Sequence, residues 1–168
     1  MLTPLLAKLR ALIENIAPGP GILAGRDALA LQTACCGLLM EVAQLGSEGT
    51  DRKCKAASQA MREEFGIPNE ELALMITGVT RPENRLTSYH GPVALINKGY
   101  APDQKAQFIE RLWRVAMADG EIDMYEDQLV RKLADLLYVS HDDFILAKHR
   151  AQAGGGTPAA RAHAEIKQ

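Results

Sequence analysis

Apolar side chains recur at intervals of three and four along most of this chain, and that spacing permits little except α-helices packed on one another. The pattern runs through Leu2, Leu5, Leu6, Leu9, Ile13 and Ile16 and returns at Leu31, Cys35, Leu38, Leu39 and Val42. It returns again at Phe108, Leu112, Val115 and Ala116, and at Leu129, Leu133, Leu136 and Leu137. Each set falls on one face of a helix. No alternating stretch is long enough to make a useful strand. Aromatic residues make up only 5% of the chain, and Ala and Leu dominate its apolar content, which also favours helices. The expectation is an all-α, single-domain helical bundle of seven to eight helices.

Helix breakers divide the pattern into segments. Ala17-Pro18-Gly19-Pro20-Gly21 separates a first amphipathic helix from the rest, and Gly154-Gly155-Gly156-Thr157-Pro158 opens a flexible tail. The divisions expected are 1–25 for the first helix and its linker, 26–150 for the helical domain and 151–168 for the tail. The first helix is expected to dock on the domain, since its two cations are few for a membrane anchor. Helices are expected near 27–45, 50–65 (closed by Gly66) and 69–77. Thr80-Arg81-Pro82-Glu83 has the Thr-to-Glu spacing of a capping box, so it predicts a helix start. Gly91-Pro92 is expected to interrupt that helix, with a short one following to Gly99. Pro102 opens the next, and Ser140 with Asp143 caps the last, to about Arg150.

The two halves of the chain resemble each other. Leu39-Met40-Glu41-Val42-Ala43 matches Leu112-Trp113-Arg114-Val115-Ala116, and Ile67 to Leu72 matches Val139 to Phe144. The offset is 73 residues before the joint between the paired helices and 72 after it. The spacing therefore predicts two pseudo-symmetric halves. The first joint, Gly46-Ser47-Glu48-Gly49-Thr50-Asp51, keeps Glu48 and Asp51. It has no acid matching Asp119, and Cys54 stands where Glu126 would be expected.

Charge and cysteine content narrow the chemistry. The net charge of −2 gives no basic field for nucleic acid. Residues 119–143 nevertheless carry eight acids and two basic residues, an uneven distribution that suits a cation or a basic partner. Cys35, Cys36 and Cys54 form no disulfide framework and read as reduced thiols, with Cys35 in the core and Cys36 facing elsewhere. Lys8, Arg10 and Glu14 interrupt the apolar residues of the N-terminus, which is unlike a signal peptide. No apolar run reaches the roughly 18 residues that cross a bilayer. These features suggest a cytoplasmic chain. His90, His141, His149 and His163 make no zinc spacing, and no glycine-rich phosphate loop is present. No catalytic residue and no small-molecule substrate is assigned.

The joint of the second half carries the densest chemistry. Asp119-Gly120-Glu121-Ile122-Asp123-Met124-Tyr125-Glu126 resembles the back half of a calcium-binding helix–loop–helix. The leading carboxylate positions fall on Val115 and Met117, however, and calcium takes six to eight oxygens. This loop alone cannot supply them. Asp123 and Glu126 instead have the spacing of an N-cap and its reciprocal partner. Asp119 and Glu121 have no structural role in this reading. Asp119, Glu121, Asp123 and Glu126 remain candidates for a weak divalent-metal or docking surface.

Leu112-Trp113-Arg114-Val115-Ala116, followed by Ala118-Asp119-Gly120-Glu121-Ile122-Asp123, Glu126 and then Leu129 to Leu137, resembles the bacterial tellurite-resistance TerB-like family. That family shares its domain with the N-terminal part of some DnaJ-like co-chaperones. The resemblance covers roughly residues 25–150 and is strongest at 112–146. It implies an all-helical, two-halved domain linked to tellurite or general stress resistance, with candidate metal contact through Asp119, Glu121, Asp123 and Glu126. It implies no enzymatic activity. The leading functional expectation is a non-enzymatic scaffold for protein partners, with a location peripheral to the inner membrane left open. The alternatives are a divalent-cation sensor, and thiol-based tellurite handling at Cys36 or Cys54, with Lys53 and Lys55 favouring the Cys54 thiolate.

Overall fold

A computed structural model describes residues 25–46 and 50–154. The expected helix at 2–16, its linker, Glu48 and the tail from Gly155 lie outside the described residues. Seven α-helices occupy the described part: α1 (Gly25–Gln44), α2 (Thr50–Phe65), α3 (Asn69–Val79), α4 (His90–Gly99), α5 (Pro102–Ala116), α6 (Met124–Leu136) and α7 (His141–Gly154). The all-α expectation is met, and no strand occurs among the described residues.

The repeat in the sequence is a repeat in space. Helices α1, α2 and α3 answer to α5, α6 and α7, with α4 inserted between the halves. Matching positions share the core: Leu39 with Leu112, Val42 with Val115, Ala43 with Ala116 and Leu72 with Phe144 are all buried. The two central helices are α1 and α5. Helix α1 packs against α2, α3, α4 and α5, and α5 packs against α2, α6 and α7 as well. This central position corrects the expectation for Cys36. It is fully buried, like Cys35, because neighbours cover α1 on more than one face. Burial raises both thiols from 9.0 to about 12, since a thiolate is costly away from water.

The second helix of each half ends in the same backbone conformation 72 residues apart. Gly66 and Tyr138 both take positive φ, 62° and 57°. At α6 the ending has two bonds: Val139 N–H donates to Ala134 C=O at 3.0 Å and Tyr138 N–H to Asp135 C=O at 3.1 Å. These close the helix as a Schellman motif. Tyr138 takes this conformation with a side chain that is 83% exposed.

The segment between the halves departs from expectation at two points. Thr80 begins no helix; its hydroxyl donates to Ile76 C=O at 2.7 Å and finishes α3. Only a short 3-10 turn, Pro82–Asn84, follows, without a side-chain cap. Gly91-Pro92 does not interrupt a helix either. Both lie in the first turn of α4, where proline loses no helical hydrogen bond. Elsewhere Ser140 caps α7 as expected, accepting from Asp143 N–H at 3.2 Å. Trp113 is fully buried and packs on Phe144 with ring centroids 5.6 Å apart.

Candidate functional site: a buried ammonium at the acidic joint

Asp123 is the N-cap of α6. Its Oδ1 accepts from Glu126 N–H at 2.8 Å, and Glu126 Oε2 accepts from Asp123 N–H at 3.3 Å. The reciprocal capping box read from the sequence is therefore formed. It leaves Glu126 Oε1 turned into the molecule, in a fully buried side chain.

Lys53, from the first turn of α2, meets that carboxylate. It is 2% exposed. Its ammonium donates directly to Glu126 Oε1 and stands 3.2 Å from Asp119 Oδ2. Burial alone would lower the lysine's pKa. Hydrogen bonds to Glu126 and Asp119, and the charges of both, outweigh it and hold the ammonium above its ordinary value. Gly46 completes the enclosure. A Cβ on Gly46 would lie 3.2 Å from Lys53 Nζ, 3.4 Å from Glu126 Oε1 and 3.5 Å from Asp123 Oδ2. These three atoms surround one spot, and a side chain there would make them give way by a few tenths of an ångström.

The sequence reading missed Lys53 as a member of the site and treated it as a neighbour of Cys54. One signal was present. Lys53, Ala57, Ala60 and Met61 form the buried stripe of α2, so a lysine stands at an apolar position. Within α2 and α6 the 72-residue offset matches Glu126 with Cys54. In space, the partner of Glu126 is Lys53, the residue before that match.

The four predicted acids separate into two groups. Asp119 and Glu126 hold the ammonium, and Asp123 caps α6 beside them. Glu121 is exposed, and only its backbone N–H is engaged, donating to Asp119 Oδ1 at 3.2 Å. Asp119 thus has the structural role that the sequence did not supply. Among the described residues, no group of three or more His, Cys, Asp or Glu side chains could hold a metal ion. The donor set does not fit a divalent cation as it stands, because a positive charge from the chain already occupies the space between Asp119 and Glu126.

Cys54 lies in a shallow, open depression with Asp51, Lys55, Ser58 and Arg62. Burial first, and then the charge of Asp51, raise its thiol. Lys53, expected to favour the thiolate, is bound to the acids of the other half. A second polar network links α2 and α5 further along. Tyr100 O–H donates to Glu64 Oε1 at 2.7 Å, and Arg111 pairs with Glu64 Oε2 at 2.7 Å.

The rim of the joint is apolar and acidic together. Met124 and Tyr125, in the first turn of α6, are 63% and 64% exposed. Glu121 precedes them and makes no ion pair among the described residues.

Comparison with known proteins bears on the same helices. The family described as "Tellurite resistance protein TerB" matches residues 32–149. No curated protein and no solved structure matches the chain significantly. The family match takes in both halves of the repeat, Gly46, Lys53 and all four joint acids. Covering well over half of the sequence, that match establishes that the chain belongs to the TerB tellurite-resistance family.

Proposed function

We propose that this TerB-family chain is a non-enzymatic interaction module, associated with tellurite or general stress resistance, which captures a protein partner at the rim of its acidic joint. The observation that carries this reading is the exposure of Met124 and Tyr125 beside the unpaired Glu121. Methionine and aromatic side chains are enriched at protein interfaces. A free carboxylate next to them favours a partner segment that is basic and apolar together.

The acids beneath the rim have a different role. Asp119, Asp123 and Glu126 fix the start of α6 through Lys53 and hold the rim rigid, which lowers the ordering cost of binding. No described helix is long and apolar enough to cross a membrane.

The reading is tested by a photo-crosslinking side chain at Tyr125 in living cells, with Leu74 on α3 as the control position. Adducts at 125 that disappear with Glu121→Arg, while the melting temperature holds, are the expected result. Equal labelling at both positions, or adducts indifferent to Glu121→Arg, would sink it. An exposed substitution of this kind changes stability by less than about 0.5 kcal/mol.

A further inference from the structure

The rim of the joint extends beyond Met124 and Tyr125. Leu45, 37% exposed, follows α1 and directly precedes Gly46, where a Cβ would lie 3.5 Å from Asp123 Oδ2. Leu45 thus joins the apolar surface at the start of α6. Two exposed carboxylates border that surface. Glu121 makes no ion pair among the described residues, and Asp123 caps α6 with Oδ1 alone.

An occupant that matches this surface carries an apolar stripe bordered by two cations. Residues 1–24, which precede α1, hold that pattern in their sequence. Leu2, Leu5, Leu6, Leu9, Ile13 and Ile16 share one stripe at helical spacing, and Lys8 and Arg10 fall on either side of it. The residues after Gly154 do not match. They include Arg161 and Lys167 but only one large apolar side chain, Ile166.

The segment also has the reach. Helix α1 has 20 residues, so about 30 Å separate Gly25 from the joint at its other end. Residues 17–24, with Pro18 and Pro20, span up to about 25 Å when extended. At helical spacing Lys8 lies about 12 Å beyond Ile16, which brings it to the joint. A short tether gives an effective concentration near millimolar, so even a weak contact is populated. We propose that residues 2–16 dock within the same chain on the rim of Leu45, Met124 and Tyr125, that Lys8 and Arg10 pair with Glu121 and Asp123, and that an external partner must displace them. The proposal rests on the reading of this rim as a docking surface.

The test uses the purified full chain at about 1 μM, far below the effective concentration of a short tether. A photo-crosslinking side chain replaces Met124, and an equal amount of nitrogen-15-labelled wild type is present. Mass spectrometry should find adducts between position 124 and residues 2–16 of the same, unlabelled chain. The same side chain in place of Leu74, 48% exposed on α3, should give few. K8E/R10E should lower the yield at 124 more than about tenfold, because like charges then face each other. Adding E121R to that variant should recover part of the yield.

Adducts that join labelled to unlabelled chains overturn the proposal in favour of a second copy. So do equal yields at 124 and 74, yields indifferent to K8E/R10E, or no adducts to residues 2–16 at all. In cells K8E/R10E should increase partner adducts at position 125, and unchanged capture overturns the displacement. The two readings fail separately. Adducts within the purified chain, without any partner adduct in cells, leave this inference standing and remove the partner. Partner adducts in cells, without adducts to residues 2–16 in the purified chain, do the reverse.

Discussion

Lys53 shows how a single residue can change the meaning of a motif. Read as a string, Asp119 to Glu126 is a set of acids in search of a cation. In three dimensions the cation is a lysine 73 residues earlier in the chain. The capping roles of Asp123 and Glu126 were legible because they depend on neighbours three residues apart. The partner of Glu126 was not, because it depends on how the two halves dock. Removing Glu126 leaves the buried Lys53 with Asp119 alone and takes away a capping partner, at a cost approaching that of a broken buried pair, about 3–5 kcal/mol. Glu126→Ala is therefore expected to lower the urea midpoint by that equivalent with an unchanged m-value, whereas Glu121→Ala should leave the midpoint alone. A midpoint for Glu126→Ala within error of wild type would show that the pair contributes little.

At the scale of elements, the lengths of α2 and α5 and the N-terminal cap of α6 follow from periodicity and capping chemistry, and the helix boundaries read from sequence lie close to those observed. The failures cluster between the halves. Thr80 had the right spacing for a start but serves as an ending, because its backbone N–H and its hydroxyl both donate to the Ile76 carbonyl. Local spacing cannot distinguish these two uses of threonine. The end of α6 carries a prediction of its own. A left-handed residue with a side chain costs roughly 1–2 kcal/mol, and Tyr138 stands where the first half has Gly66. The phenol contributes only a distant contact with Lys105, whose Nζ lies 6.0 Å from the ring centre. Tyr138→Gly should stabilise the protein by about 0.5–1 kcal/mol, since glycine is unstrained there but gives back part of the gain as unfolded-chain entropy. Chemical denaturation checks it, and a net loss would mean that the exposed ring matters more than the strain.

For the whole molecule, the fold class and its two halves were readable because amphipathic periodicity reports which faces are buried. What that periodicity did not report is that α1 is buried on several faces, and so it misplaced Cys36. The consequence is sensitivity to alkali. Cys35, Cys36, Lys53 and Tyr100 all have folded pKa values raised above their ordinary ones. The folded state therefore keeps protons that the unfolded chain releases, and stability falls as pH rises. The two thiols act first, between 9.0 and about 12. Lys53 follows above its unfolded value of about 10.4. Urea midpoints should be level from about pH 7 to 8 and decline beyond about pH 9, with a shallower decline in Cys36→Ala. A flat profile to about pH 11 would contradict the burial of these groups.

The chain's single tryptophan sits where two helices meet. Trp113 belongs to α5, but Phe144 and Lys148, both from α7, cover its ring, with the lysine Nζ 4.5 Å from the ring centre. An indole seated this way emits according to whether α7 is in place. The molecule thus carries its own optical gauge, which separates detachment of the last helix from collapse of the whole bundle without an added label.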